Sequence, residues 1–168
     1  MIDAILRDLR QAEYIHVLIN PLPVYGLAMG LIGLIVAFFL KSRPAQIVAL
    51  IIVLICSASA WPVYEFGEQA YDRVLSMSDD PGHAWLDEHQ DRAEDLIWFF
   101  YALAALSAVA LIAPRKWPRS TTPLLISVIL LSIVTLGCGG YIAYAGGKIR
   151  HREFRNVPPP AKKSGEER

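Results

Sequence analysis

Four histidines, His16, His83, His89 and His151, are the residues of this sequence best suited to chemistry. Imidazole is a common protein ligand for transition metals, and as a neutral group it tolerates low-dielectric surroundings that a charged ligand would not. Local pattern separates the four. His89 shares a helical face with Leu86, Ala93, Leu96 and Phe100, so its ring should point into packed helices. His16 lies on the apolar stripe Ile2, Ile5, Leu9 and Ala12, and His151 continues the row Tyr144, Lys148. We expect His16 and His89 to approach one another just before an apolar span and to form a site for haem b or a transition metal, with His151 as the reserve cofactor ligand. Gly26 and Gly30 would leave space for a porphyrin face, and Trp85 or Trp98 would pack against its edge. A histidine that is merely hydrogen-bonded inside a helical core produces the same pattern, so a purely structural role stands beside the ligand role.

Other chemistry lacks a signal. The chain has no glycine-rich nucleotide loop, no HExxH, no GxSxG and no serine placed beside a histidine. Cys56 and Cys138 sit singly within apolar runs and read as small packing residues. The run Asp87, Glu88, Asp91, Arg92, Glu94 and Asp95 reads as a solvated face in which Glu88 and Arg92 pair four residues apart. These absences argue against an enzyme and against nucleic-acid partners.

Positioning such histidines falls to long apolar helices. Of 168 residues 54% are hydrophobic, too many for an average soluble domain. Four runs, 22–40, 45–64, 96–114 and 124–145, carry no charge and have the ~20-residue length that crosses ~30 Å of hydrocarbon. None shows the polar stripe that a soluble bundle requires. The fold class expected is therefore all-α, an integral membrane four-helix bundle forming one domain over 1–155, followed by a polar, disordered tail at 156–168. Residues 1–19 read as an interfacial amphipathic helix, broken at Asn20-Pro21-Leu22-Pro23. The N-terminus does not read as a signal peptide, so the first run should remain as a span. Lys41-Ser42-Arg43-Pro44 and 114–122 are short connections, whereas 65–95 is long, rich in acids and helical in period, with a turn at Asp79-Asp80-Pro81-Gly82.

Charge polarises the molecule. With four spans the N-terminus, the long connection and the tail share one side, and all sixteen acidic residues fall there against eleven basic ones. The two short connections hold only Lys41, Arg43, Arg115, Lys116 and Arg119. Short basic connections favour the cytoplasm, which places the acidic side on the outer face of a multi-pass membrane protein; the four basic residues that follow the fourth span, Lys148, Arg150, Arg152 and Arg155, pull the other way. No span carries a carboxylate or lysine at mid-depth, so a transporter or channel ranks last among the functions considered.

Small residues recur at contact spacing in the spans: Gly26 and Gly30, Ala104 and Ala108, then Gly139, Ala143 and Gly147. Such residues let helix backbones approach closely in lipid. His16 ahead of Asn20-Pro21-Leu22-Pro23, the acidic connection, His89 leading into the third span, and the closing Gly139-Gly140-Tyr141-Ile142-Ala143-Tyr144-Ala145-Gly146-Gly147 together resemble a family of bacterial membrane proteins known only as a domain of unknown function. The resemblance spans most of 14–155 and implies a four-helix bacterial membrane protein, which with the charge pattern gives an inner-membrane protein whose acidic side is periplasmic. In that family the first histidine is typically followed by proline, whereas Val17 follows here. The function expected first is that of a structural or assembly subunit working with the lipid bilayer and other membrane subunits; the alternative is a redox module binding haem b or a metal through histidines near one membrane face.

Overall fold

The structure, a computed structural model, describes residues 2–161. Among these residues the regular elements are all helical: α1 (Ile2–Asp8), α2 (Ala12–Ile19), a π-helical turn (Leu22–Gly26), α3 (Leu27–Phe39), α4 (Arg43–Ala58), α5 (Ala60–Ser76), α6 (Asp80–Ile112) and α7 (Thr121–Arg150). Four stretches, Ala12–Phe39, Arg43–Ser76, Asp80–Arg115 and Pro118–Arg150, are long and apolar enough to cross a membrane. Of the tail, 156–161 carries no regular element and 162–168 lies outside the described residues.

The apolar helices bury one face and expose another that is equally apolar. Leu27, Leu34, Leu50, Val53, Leu103 and Val128 are fully buried where α3, α4, α6 and α7 meet. On the outward faces Met29 is 67% exposed, Ile55 58% and Leu130 59%. Water penalises that outward surface, whereas hydrocarbon does not. The small residues act at the inner seams. A Cβ on Gly26 would lie 2.6 Å from Cys56 Sγ, and one on Gly30 would lie 3.0 Å from Val53, so both glycines admit α4 against the first apolar helix. They therefore leave no room for a porphyrin, contrary to the expectation from sequence. Gly139 meets Val24 and Phe100, while Ala143 and Gly147 lie on a cavity wall instead of in a helix seam.

The N-terminal segment departs from expectation. In place of one helix over 1–19, the chain breaks at 9–11 and then runs from α2 into α3 almost without interruption. Asn20 and Pro21 keep helical dihedrals, with φ −54° and −63°. Asn20 N–H still bonds the His16 carbonyl at 2.9 Å, so at Pro21 the helix loses one backbone donor without ending. The turn after it absorbs the second proline by widening, so that the Leu27 N–H reaches back five residues to the Leu22 carbonyl. The result keeps α2 at the acidic end, where it packs along α5.

The long connection consists of α5 and the first turns of α6. Asp79 caps α6 by accepting from the Gly82 N–H at 3.1 Å, and α6 then continues for 33 residues through the third apolar run. Arg155 holds the far end of α7 to this cap. Its guanidinium donates to the Lys148 and Ile149 carbonyls, both at 2.7 Å, and to Asp79 Oδ2 at 2.9 Å. The paired guanidinium holds the Asp79 carboxyl down at about 2.

Candidate functional site

His16 and His89 meet at the acidic end of the bundle. Their ring centroids are 6.5 Å apart and the planes are nearly perpendicular, at 88°. Each ring is fixed by a backbone carbonyl of a different helix. Nδ1 of His16 lies 2.8 Å from the Val63 carbonyl on α5, and Nδ1 of His89 lies 3.0 Å from the Ile142 carbonyl on α7. A carbonyl can only accept, so each Nδ1 carries the proton and donates it. Each Nε2 is then the unprotonated ring nitrogen, the one whose lone pair can bind a metal.

Two glycines make this placement possible. A Cβ on Gly67 would lie 3.1 Å from His16 Cε1 and Nδ1, and one on Gly146 would lie 3.0 Å from the same atoms of His89. Any side chain there would push the ring off its carbonyl. Neither glycine stands out in the sequence as a site residue, although Gly146 belongs to the glycine-rich closing segment.

Contacts on either side of each histidine lock its helix. One turn before His16, Glu13 pairs with Arg73 of α5 at 2.6 Å. On α6, Trp85 precedes His89 by one turn and forms with Tyr144 an aromatic box around the Lys148 ammonium, which stands 4.1 Å and 3.9 Å from the two ring centroids. Lys148 is 2% exposed and its ammonium has no hydrogen-bond partner among the described residues, so the ring faces are what hold it there. On the other side of His89, Arg92 donates to the Tyr141 carbonyl at 2.8 Å and lies 3.7 Å over the Tyr141 ring. The α6–α7 register around His89 is thus fastened on both sides.

Both histidines line a cavity of ≈ 590 Å³ between α2, α5, α6 and α7. Its deep walls are apolar, with Pro23, Ala60, Val63, Ile97, Phe100 and Gly139 among them. Gln11, Tyr14, Glu68 and Arg150 stand on its more exposed part. The size falls within the ~300–1,000 Å³ typical of cofactor pockets.

The other residues expected at the site lie elsewhere. His151 is exposed, bonds Glu153 at 2.9 Å and stacks on Phe154, because α7 ends at Arg150 and the chain turns away. It does not line the cavity. His83 is bonded to the Ser78 carbonyl at 3.0 Å. Trp98 faces outward and Trp85 is occupied by Lys148, so neither reaches a ligand edge. Among the described residues no group of three or more His, Cys, Asp and Glu side chains converges to hold a metal ion. The chain matches no family model, and neither a curated protein nor a solved structure is significantly similar to it.

Proposed function

We propose that this chain is a haem b-binding electron-transfer module of the bacterial inner membrane, with His16 and His89 as the two axial ligands. The observation that carries the reading is the paired geometry of the rings. A metal–nitrogen distance of ~2.0 Å and a nitrogen-to-centre distance of ~1.1 Å separate two opposed imidazoles by ~6.2 Å, against ~5 Å for two on a tetrahedral ion. The observed 6.5 Å favours opposed rings. A bare zinc-like ion would also need two further protein ligands, whereas a porphyrin supplies four nitrogens of its own and asks the protein for only two. Each ring already has the carbonyl partner that orients metal-binding histidines and fixes their tautomer.

Haem supplies one-electron chemistry when bound, and the protein's part is to hold, orient and shield it. With both axial positions taken by histidine no open site remains for oxygen or substrate, which favours electron transfer over catalysis. The apolar deep walls exclude water and lower the local dielectric, so that two neutral imidazoles are accepted where charged ligands would be costly. The same reading places the short basic connections in the cytoplasm and the site at the periplasmic end.

The test is spectroscopic. The full chain, expressed with haem supplied and purified in detergent, should show a single Soret band and sharpened visible bands on reduction, and His16→Ala and His89→Ala should each lose the six-coordinate spectrum. A colourless wild-type protein that stays colourless when haemin is added refutes the proposal and leaves the structural-subunit reading in its place.

A further inference from the structure

The basic side chains packed around the helices at the acidic end are engaged, and Arg7 and Arg10, which are in no ion pair among the described residues, do not line the cavity. Arg73 pairs with Glu13, Arg92 with Glu88, and Arg152 and Arg155 with Asp79, while Lys148 is enclosed by Trp85 and Tyr144. Arg150 is different. It stands on the cavity wall at the last turn of α7, is exposed, and among the described residues its side chain hydrogen-bonds only Met77 Sδ, at 3.7 Å. No carboxylate among the described residues pairs with it, on the side of the molecule that holds every acidic residue.

Of the two carboxylates that share the cavity, Glu13 is ion-paired with Arg73, whereas Glu68 accepts from the neutral Gln90 amide at 2.6 Å and keeps its charge. Arg150 is the one Lys or Arg on the cavity lining, and no ion pair among the described residues joins it to Glu68. Across the wall, Tyr14 of α2 contributes an exposed hydroxyl to the same rim. A guanidinium recognises planar oxyanions through paired N–H donors, and a neutral ligand would leave it without a partner.

We propose that Arg150 is the counter-charge for a carboxylate on the ligand, so that the cavity selects an acidic porphyrin and directs its carboxylates to the exposed rim, leaving the apolar macrocycle between His16 and His89. This rests on the haem reading and extends it to the orientation and chemical class of the porphyrin. Exposure and screening set the scale: a pair at the rim changes affinity by roughly two- to five-fold, not by orders of magnitude.

The experiment compares haemin with haemin dimethyl ester, titrated into detergent-solubilised full-length protein and read at the Soret band. Wild type should bind haemin more tightly than the ester. In Arg150→Gln that preference should fall by about three-fold with the ester affinity unchanged, and Arg150→Lys should keep part of it. Raising ionic strength should weaken haemin uptake by wild type but not ester uptake, which tests the charge without any variant. Equal haemin-to-ester ratios in wild type and Arg150→Gln overturn the assignment of Arg150 while the histidine site stands. A wild-type protein that takes up neither compound overturns both.

Discussion

Gly146→Ala is the most exacting perturbation of the histidine site, because it adds one methyl group against a ligand and touches nothing else in the argument. The new Cβ would lie 3.0 Å from both Cε1 and Nδ1 of His89. Ordinary carbon contacts begin near ~3.5 Å, so the ring must retreat from α7 by a few tenths of an ångström. That retreat lengthens the 3.0 Å bond to Ile142, the partner that fixes the tautomer, and it exceeds the ~0.2 Å tolerance of a metal–nitrogen bond. Losing such support typically weakens metal affinity by about 10–100-fold. The helix itself should gain, since Ala in place of a mid-helix Gly contributes roughly 0.5–1 kcal/mol. Gly140→Ala supplies the control: it lies in the same helix with nothing within 4 Å of its added Cβ. Haemin titration and thermal melting of the two variants should therefore diverge. Both should melt at or above the wild-type temperature, and only Gly146→Ala should lose affinity by ten-fold or more. Wild-type affinity in Gly146→Ala, or an equal loss in Gly140→Ala, refutes the reasoning.

Perpendicular axial imidazoles leave the two iron orbitals that interact with them nearly equal in energy, so the oxidised haem-loaded protein should give a single strongly anisotropic low-field EPR signal; a rhombic three-line spectrum would mean that the 88° angle is not kept on loading. Asp79 is held at about 2 against 3.8 for an ordinary carboxyl, so its tie to Arg155 stabilises the fold above 3.8 and the contribution is lost as pH falls through 2. Asp79→Asn keeps an N-cap but removes the charge, and melting curves of variant and wild type should differ at neutral pH and converge near pH 2. Gly26→Ala forces a Cβ to within 2.6 Å of Cys56 Sγ and should destabilise the bundle by roughly 1–3 kcal/mol in a denaturant titration, with Cys56→Ala relieving most of the loss. With the native cysteines replaced, an impermeant thiol reagent applied to the periplasmic side should label Ser76→Cys and leave Arg119→Cys untouched; the opposite pattern reverses the orientation.

Much of the fold was legible because charge is so costly in hydrocarbon that its absence over ~20 residues leaves little choice of structure. The stretch around Pro21 and Pro23 was misread for a physical reason. Two prolines signal a break when counted as missing donors, but here the helix gives up those two bonds and continues, because the π-helical turn absorbs the distortion. His16 and His89 could be singled out because each sits on an apolar stripe, where a polar ring needs a purpose. Their supports could not. Val63 and Ile142 act through carbonyls, which every residue possesses, and Gly67 and Gly146 matter only for what faces them from other helices. His151 was placed with the site by extending the row Tyr144 and Lys148 past the point where α7 ends. Arg150 was counted only as one basic residue after the fourth span, because pairing, which sets it apart, is a tertiary property.

The histidine pair is built from opposite ends of the chain, and this sets a timetable for biogenesis. His16 lies at the start of the first apolar stretch, while the carbonyl and glycine that seat His89 belong to α7, the last to emerge. At ~5–20 residues per second, the ribosome needs on the order of ten seconds to travel from His16 to Gly146. Throughout that interval one imidazole has left the ribosome while the other lacks its seat. On the haem reading, loading is therefore a post-insertion step, and a ribosome-bound chain stalled before α7 should sit in the membrane with three apolar helices and no competent pair of ligands.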